Sequence, residues 1–164
     1  DDGNTAQQCL FGQHYGTNMS SGWKGSAGTD KWFMITNLQV DEAETGPSYD
    51  TPYVIEFYMG TSEQYLKIDG VTVISASRSI PTGGSNAQAF LFSRNGATSS
   101  SDRPFHNYSN ARIYYAKIYQ DGELVRDFVP ARRDSDGEFG MYDKVTKQFF
   151  ENIGIGAFNW TALE

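Results

Sequence analysis

The sequence predicts an all-β protein, built as a two-sheet antiparallel β-sandwich. Aromatic residues make up 15 % of the chain and glycine occurs 17 times, which suits short strands joined by tight turns. Apolar and polar residues alternate over short stretches bounded by Gly, Asn, Asp and Ser, and no helical periodicity is sustained. Two Asp-Gly dipeptides, flanked by such alternation, are typical of β-hairpin turns.

The alternating segments predict ten strands. They cover residues 8–12, 31–38, 53–59, 65–68, 71–75, 89–93, 111–119, 124–130, 138–143 and 148–151. Asp69-Gly70 and Asp121-Gly122 predict two-residue type I′ hairpins. A turn at Ser135-Asp136-Gly137 and another at residues 144–147 would complete a C-terminal antiparallel meander. From Ile113 to Tyr119 only Lys117 is charged, so we expect both faces of the strand predicted at 111–119 to be covered.

The length of 164 residues favours one domain over two. We expect a single domain over residues 1–162 and interpret Leu163-Glu164 as a cloning remnant. Cys9 is the only cysteine, so the chain cannot form an internal disulfide framework. Its neighbours Leu10 and Phe11 favour a buried, unreactive thiol.

Charge narrows the classes of partner. Thirteen Lys and Arg stand against twenty Asp and Glu, a net charge of −7. This balance lacks the basic surface that nucleic acid requires, and it disfavours anionic lipid. No apolar run approaches the roughly 20 residues that span a bilayer. We therefore expect neither a nucleic-acid nor a membrane partner.

A family resemblance covers about fifty residues at the C-terminal end. Its residues lie in the runs 111–119, 121–130, 137–143, 149–152 and 154–158, which include "LVRDFVP" and "GEFGMYD". These runs resemble the ends of bacterial and phage concanavalin A-like (laminin G-like) domains. Leu10-Phe11-Gly12 and the segment 65–74 agree more weakly.

The resemblance implies a jelly-roll sandwich and a role in recognising carbohydrate or protein at the cell surface. We therefore expect an extracellular domain, secreted as part of a larger protein. The strand that usually precedes the Leu-Phe-Gly segment in such domains is not evident here. Its absence would leave an exposed sheet edge, which invites strand exchange or dimerisation.

The chain shows no catalytic signature. Laminarinase-type hydrolases of this fold resemble one another in a strand motif in which two Glu flank an Asp on one face of the strand. In this chain Glu56 is the only carboxylate in its predicted strand. Asp134, Asp136 and Glu138 have the right spacing but straddle a turn glycine, so we interpret them as turn residues. His14 and His106 are the only histidines, and neither has the context of a Ser/His/Asp triad or a zinc site. We expect no enzyme activity.

A structural calcium ion is the one cofactor that the sequence suggests, because loop oxygens bind calcium and laminin-type domains often carry such an ion. The candidate ligands are Asp41, Glu42 and Glu44, with Asp134 and Asp136 as the alternative set. Solvated acidic loops would give the same pattern.

Aromatic residues in predicted loops give the positive case for binding. Sugars stack their C–H faces on aromatic rings while their hydroxyls bond polar groups. Three segments combine both residue types: residues 14–18 together with Trp23, residues 49–53 and residues 103–108. The last two lie in or beside the long loops predicted at 41–51 and 96–110. The candidate ligand contacts are Trp23, Tyr15, Tyr49, Tyr53, Arg103, His106 and Tyr108. We expect Trp32 to lie in the core and Trp23 to be the more exposed of the two.

Three functions follow, in order of preference. The first is a non-catalytic carbohydrate-binding module of an extracellular, multi-modular bacterial protein, with a polysaccharide or glycan as ligand. The second is a protein–protein interaction, adhesion or structural domain of a surface or phage protein. The third, a glycosidase, is weakest because no carboxylate pair is found.

Overall fold

The chain is all-β in a computed structural model that describes residues 7–13, 19–24, 30–37, 39–79, 90–91, 94–95, 105–106, 109 and 111–152. No helix occurs in these ranges, and none of the described segments could therefore cross a membrane as a helix. The chain divides into two compact units, Asp1–Asn110 and Ala111–Glu164, called here the N-terminal and C-terminal units.

The N-terminal unit contains two sheets. Its strands are β1 (Gln7–Gln13), β2 (Met19–Lys24), β3 (Lys31–Thr36), β4 (Gln39–Glu42), β5 (Ile55–Met59), β6 (Gln64–Ile68), β7 (Val71–Ala76), β8 (Phe90–Leu91), β9 (Arg94–Asn95) and β10 (Phe105–His106). The larger sheet has the order β10-β9-β1-β2-β3-β4, with β8 also paired to β1. The smaller sheet has the order β5-β6-β7.

The two sheets pack face to face. Trp32 and Met34 of β3 are buried in one cluster with Leu66 and Ile68 of β6, and with Ala43 and Ile74. Each such side chain contributes about 1.5–3 kcal/mol when it is fully removed from water. The N-terminal unit is therefore a β-sandwich, as the sequence predicts.

Strand β3 is buried on both faces. Trp32 and Met34 point into the cluster between the sheets, while Phe33 and Ile35 form a second buried cluster with Cys9 on the opposite face. Five consecutive residues of β3 are buried, so this strand is continuous in its burial rather than alternating. The thiol of Cys9 is buried, as expected.

A polar link joins the two sheets at their edge. The Arg78 guanidinium donates to both carboxylate oxygens of Asp41, at 2.5 and 2.6 Å, and to Thr36 Oγ1 at 2.8 Å. Its backbone oxygen accepts from Nε2 of the buried Gln64 at 3.0 Å. Arg78 therefore connects β3 and β4 with the segment after β7.

The C-terminal unit is the predicted antiparallel meander. Its strands are β11 (Ala116–Gln120), β12 (Glu123–Arg132), β13 (Phe139–Asp143) and β14 (Gln148–Glu151), and they pair in that order. Phe128 and Phe150 meet edge to face, with ring centroids 5.4 Å apart. This contact packs β12 and β14 across the buried Met141 of β13.

Asp143 organises one turn of the meander. Its fully buried carboxylate accepts hydrogen bonds from the Asp127 N–H, the Val145 N–H and the Thr146 hydroxyl, at 2.9, 3.1 and 2.6 Å. Burial by itself would raise the pKa of this carboxyl. The hydrogen bonds to its charged form outweigh burial, and the pKa lies below its usual 3.8.

The predicted turns are confirmed. Asp69 and Gly70 have φ of 51° and 80°, and Asp121 and Gly122 have φ of 51° and 83°, which is the geometry of type I′ hairpins. The turns before β13 and β14 also form. In both units, hairpin turns thus form where the turn residues of the sequence predict them.

Several strand predictions need correction. The sequence did not predict β2, β4, β9 or β10, and residues Asp41 and Glu42 of the predicted loop 41–51 belong to β4. The strand predicted at 111–119 begins only at Ala116. Tyr115 and Tyr119 are half exposed, so the expectation that both faces of this segment are covered by other residues was wrong.

β8 and β9 pair with the edge of β1 at Phe11, Gly12 and Gln13, so this part of the edge is covered. Strand exchange and dimerisation stay predictions. Residues 1–6 and the proposed remnant Leu163-Glu164 lie outside the described residues. The prediction of a single domain also stays a prediction.

We expect Arg78→Ala to lower the free energy of unfolding by about 2 kcal/mol, because it leaves the half-buried Asp41 without its cation. Urea unfolding followed by tryptophan fluorescence measures this loss. Arg112→Ala, which removes an exposed arginine, is the matched control and should change stability by less than about 0.5 kcal/mol. Equal effects of the two variants would contradict the role given to Arg78.

Asp143 makes stability depend on pH. Because its folded-state pKa is lowered, its contribution is complete above its usual 3.8 and is lost as the pH falls through the folded-state value. The wild type should lose stability in this acid range more steeply than Asp143→Asn, which cannot titrate. Melting temperatures at several pH values test this, with the exposed Asp134→Asn as control. Parallel profiles for wild type and Asp143→Asn would refute it.

Candidate functional site

Some of the predicted ligand contacts lie outside the described residues. Tyr15, Arg103 and Tyr108 are among them, and for His106 only the backbone position in β10 is described. Their role as ligand contacts stays a prediction.

Trp23 and Tyr53 support the core of the N-terminal unit. Both rings meet the buried Trp32 edge to face, with centroids 6.2 and 5.4 Å away. Trp32 is core, as predicted, and Trp23 is half-buried. The Tyr53 hydroxyl accepts from the Ser48 N–H at 2.9 Å, and this bond lowers the pKa of the phenol because it favours the charged form.

Tyr49 is the most exposed of the predicted contacts that are described, with 79 % of its surface accessible. It lies in the turn before Tyr53, where Thr51 Oγ1 donates to the Tyr49 backbone oxygen at 3.3 Å. The side chain thus stands on a local turn rather than beside a fixed polar group. It offers a ring without a defined partner for sugar hydroxyls.

The predicted calcium ligands are not assembled into one cluster. Asp41 is bound by Arg78, whereas Glu42 forms an ion pair with Lys24, and adjacent strand residues point to opposite faces. Glu44 is exposed beyond the strand. No group of three His, Cys, Asp or Glu residues that could hold a metal ion occurs in the described part of the chain. Asp41 and Glu42 are thus each paired with a basic side chain, and calcium binding by these acids stays a prediction.

The carboxylates at 134–138 are turn residues, as the sequence indicated. Asp136 accepts from the Arg133 guanidinium at 2.5 to 3.0 Å and from the Glu138 N–H at 3.1 Å. The bond from Arg133 first, and the backbone bond second, lower the pKa of Asp136. The ionised carboxylate of Asp136, bound by Arg133, closes this turn.

The most organised exposed aromatic site lies on the smaller sheet, on the face turned away from the core. Tyr58 of β5 and Tyr65 of β6 are register partners, and their rings stack with centroids 4.8 Å apart and an interplanar angle of 17°. Glu56 and Lys67 form the neighbouring register pair. We call these four residues the tyrosine platform.

Strand alternation builds this platform. Ile55 and Phe57 of β5, and Leu66 and Ile68 of β6, pack on the inner face. The residues between them must then point outward, since successive strand residues alternate between faces. Register pairing of the two strands sets the four outward side chains side by side.

One carboxylate oxygen ties the platform together. Glu56 Oε1 accepts from the Tyr65 hydroxyl at 2.7 Å and from Lys67 Nζ at 3.1 Å. Lys67 Nζ also lies 4.3 Å from the centre of the Tyr65 ring, within cation–π range. Tyr65 is thus enclosed by Tyr58, Glu56 and Lys67, while Tyr58 stays 44 % exposed at the outer end of the stack.

These contacts shift the pKa of each partner. The hydrogen bond from Tyr65, and then that from Lys67, lowers the pKa of Glu56 below its ordinary 4.5. The same carboxylate raises the pKa of the Tyr65 phenol, which must give up its proton beside a negative charge. It also raises the pKa of Lys67. At neutral pH the platform therefore holds an ionised carboxylate and an ammonium group.

Gly60 leaves room for the exposed ring. A Cβ at this position would lie 2.8 Å from the Tyr58 hydroxyl oxygen and 3.0 Å from its Cε1. The turn between β5 and β6 is closed by a bond from the Gly60 N–H to the Glu63 oxygen at 2.8 Å. The glycine lets the tyrosine ring lie close to this turn.

The sequence contains a signal for the platform that the prediction of loop contacts does not include. Glu56 and Tyr58 alternate in one strand, and Tyr65 and Lys67 alternate in the next, so each pair shares a face. A hairpin between the two strands brings the pairs together. The prediction instead placed aromatic contacts in loops, where function often concentrates.

A second group of exposed tyrosines lies in the C-terminal unit. Tyr114, Tyr115 and Tyr119 are 47 %, 50 % and 59 % exposed, and Leu124 is the register partner of Tyr119. Lys117 Nζ lies 6.0 Å from the centre of the Tyr115 ring. Among the described residues, no carboxylate accepts a hydrogen bond from these three tyrosines, in contrast to the platform.

The geometry of the platform predicts a measurable tyrosine titration. In Glu56→Gln the negative charge is removed, so the pKa of Tyr65 should fall towards its ordinary 10.0. Carbon-13 NMR of ring-labelled tyrosine follows this titration, with Tyr65→Phe identifying the signal. Glu123→Gln, in the other unit, should leave it unchanged. A Tyr65 titration that is insensitive to Glu56→Gln would mean that the bond is not formed.

Comparisons with known proteins return no match: no family model, curated protein or solved structure is significantly similar to this chain. The resemblance to concanavalin A-like domains therefore stays a prediction from the sequence. The β-sandwich is established by the structure itself.

Proposed function

We propose that this protein is a non-catalytic carbohydrate-binding module and that the tyrosine platform is its glycan contact. The observation that supports the proposal is an exposed Tyr58 ring, stacked on Tyr65 beside the carboxylate of Glu56. A sugar ring needs both an apolar surface for its C–H face and a polar group for its hydroxyls. The platform supplies the two within one pair of strands.

The second support is that the side chains are held in place before any ligand arrives. Tyr65 and Lys67 both bond Glu56, and Tyr58 stacks on Tyr65. Binding to such a surface orders few side chains, so little conformational entropy is lost. A site on strands is also better fixed than one on loops.

The lowered pKa of Glu56 does not suit the acid role of a glycosidase. A glycosidase acid needs a raised pKa, so that it still carries its proton at working pH. Glu56 has a lowered pKa, caused first by the hydrogen bond from Tyr65. In the proposed function it accepts hydrogen bonds and transfers no proton.

The proposal includes the setting expected from the sequence. The module would act outside the cell, as part of a larger secreted protein, and would direct that protein to a polysaccharide. The net charge of −7 is compatible with a hydroxyl-rich ligand.

A second candidate function is a protein–protein interaction or adhesion domain. The observation that favours it is the group of exposed residues Tyr114, Tyr115, Tyr119 and Leu124 around β11. Tyrosine is enriched at protein interfaces, and exposed apolar groups that lie together often mark them. The two candidates use different units, so variants in each can separate them.

Tyr58→Ala should weaken glycan binding by at least about tenfold, the equivalent of ~1.4 kcal/mol, because it removes the exposed stacking ring. A panel of immobilised polysaccharides, followed by calorimetric titration of those retained, measures the change. Tyr119→Ala is the matched control, since it removes another exposed tyrosine, in the C-terminal unit. Wild-type retention by no polysaccharide, or equal losses in both variants, would argue against the proposal.

A further inference from the structure

The charges of the platform are unequally exposed. Glu56 and Lys67 are its charged residues, and their side chains are 52 % and 29 % accessible. Lys67 is drawn over the Tyr65 ring and towards Glu56. The more exposed side chain of this ion pair is therefore that of Glu56.

Only one oxygen of this carboxylate is used within the platform. The Tyr65 hydroxyl and Lys67 Nζ both donate to Oε1. Oε2 receives no hydrogen bond from the described residues, so it is available to accept from solvent or from a ligand. Tyr58 belongs to the neighbouring register pair on this face. A ligand that lies on its exposed ring therefore comes within reach of Glu56 Oε2.

An acceptor of this kind distinguishes ligands by charge. A neutral sugar can donate a hydroxyl hydrogen to Oε2, which forms a charge-assisted bond. A uronate carboxylate or a sulfate at the same place has no proton to give and is repelled by the like charge. The net charge of −7 adds a weaker, longer-range repulsion of the same sign.

We propose that the platform selects uncharged glycans and discriminates against acidic ones through Glu56. This inference rests on the proposed glycan-binding function and names the ligand class of the same site. The aromatic ring supplies the contact common to all sugars, and the carboxylate supplies the selectivity.

The test compares glycans that differ only in charge. Oligosaccharides of several backbones are presented in matched forms, such as galacturonan oligomers as methyl esters and as free acids, or glucan oligomers with and without carboxymethyl groups. At low salt the uncharged form of any bound backbone should bind at least about tenfold more tightly. The ratio should shrink at about 1 M salt, where the screening length is only ~3 Å.

Two failures can be told apart. If acidic forms bind as tightly as neutral ones and Tyr58→Ala abolishes this binding, the selectivity is overturned and the proposed glycan-binding function stands. Absence of binding to every backbone would contradict both proposals.

Two glutamate variants locate the source of selectivity. Glu56→Gln keeps the size of the side chain and an acceptor oxygen, so it should reduce the neutral-to-acidic ratio to within about threefold of unity. Glu123→Gln changes the net charge equally, from the C-terminal unit, and should keep the wild-type ratio. A similar drop in both variants would assign the effect to overall charge and overturn the role of Glu56. Circular dichroism confirms that each variant is folded.

Discussion

The packing of β6 on β3 is the constraint on which the candidate site depends. Leu66 and Ile68 are buried in one cluster with Trp32 and Met34, and Phe57 of β5 packs against this cluster. Phe57 also contacts Phe11 of β1, at a centroid distance of 6.4 Å. Once these side chains face the core, the residues between them must face solvent. A register shift of one residue would bury the charged pair and expose the leucine, so the hydrophobic effect also fixes the platform.

Hydrogen bonds and an ion pair at the edge of the N-terminal unit also help to fix the position of the smaller sheet. Gln64 begins β6, and its amide donates to the backbone oxygens of Gly60, just after β5, and of Arg78, after β7. Arg78 in turn binds Asp41. Hydrogen bonds of this kind add little net stability each, but they specify one position of the sheet. The core supplies the energy, and the links restrict how one sheet can slide on the other.

The sequence predicts the parts of the fold that local chemistry decides. Asp69-Gly70 and Asp121-Gly122 form the expected hairpins because these pairs accept positive φ values cheaply. Strand β2 was missed because Ser20, Ser21 and Gly22 have little strand propensity. Gly22 is needed there for a distant reason: a Cβ would lie 1.9 Å from the backbone oxygen of Gln8 in β1. The tyrosine platform likewise depends on pairing between strands, and the ion pair of Asp41 joins residues 37 positions apart.

The small size of the platform has a consequence for how the proposed module would work. One exposed ring and one carboxylate oxygen give a ligand few contacts, so the affinity of a single site for a single sugar is expected near the millimolar range, about −4 kcal/mol. Such a site becomes effective when the ligand is a polymer that repeats the same epitope, and when the module is tethered to another that binds the same polymer. The rigid stack then matters more than its area, because each rebinding event finds the side chains already in place.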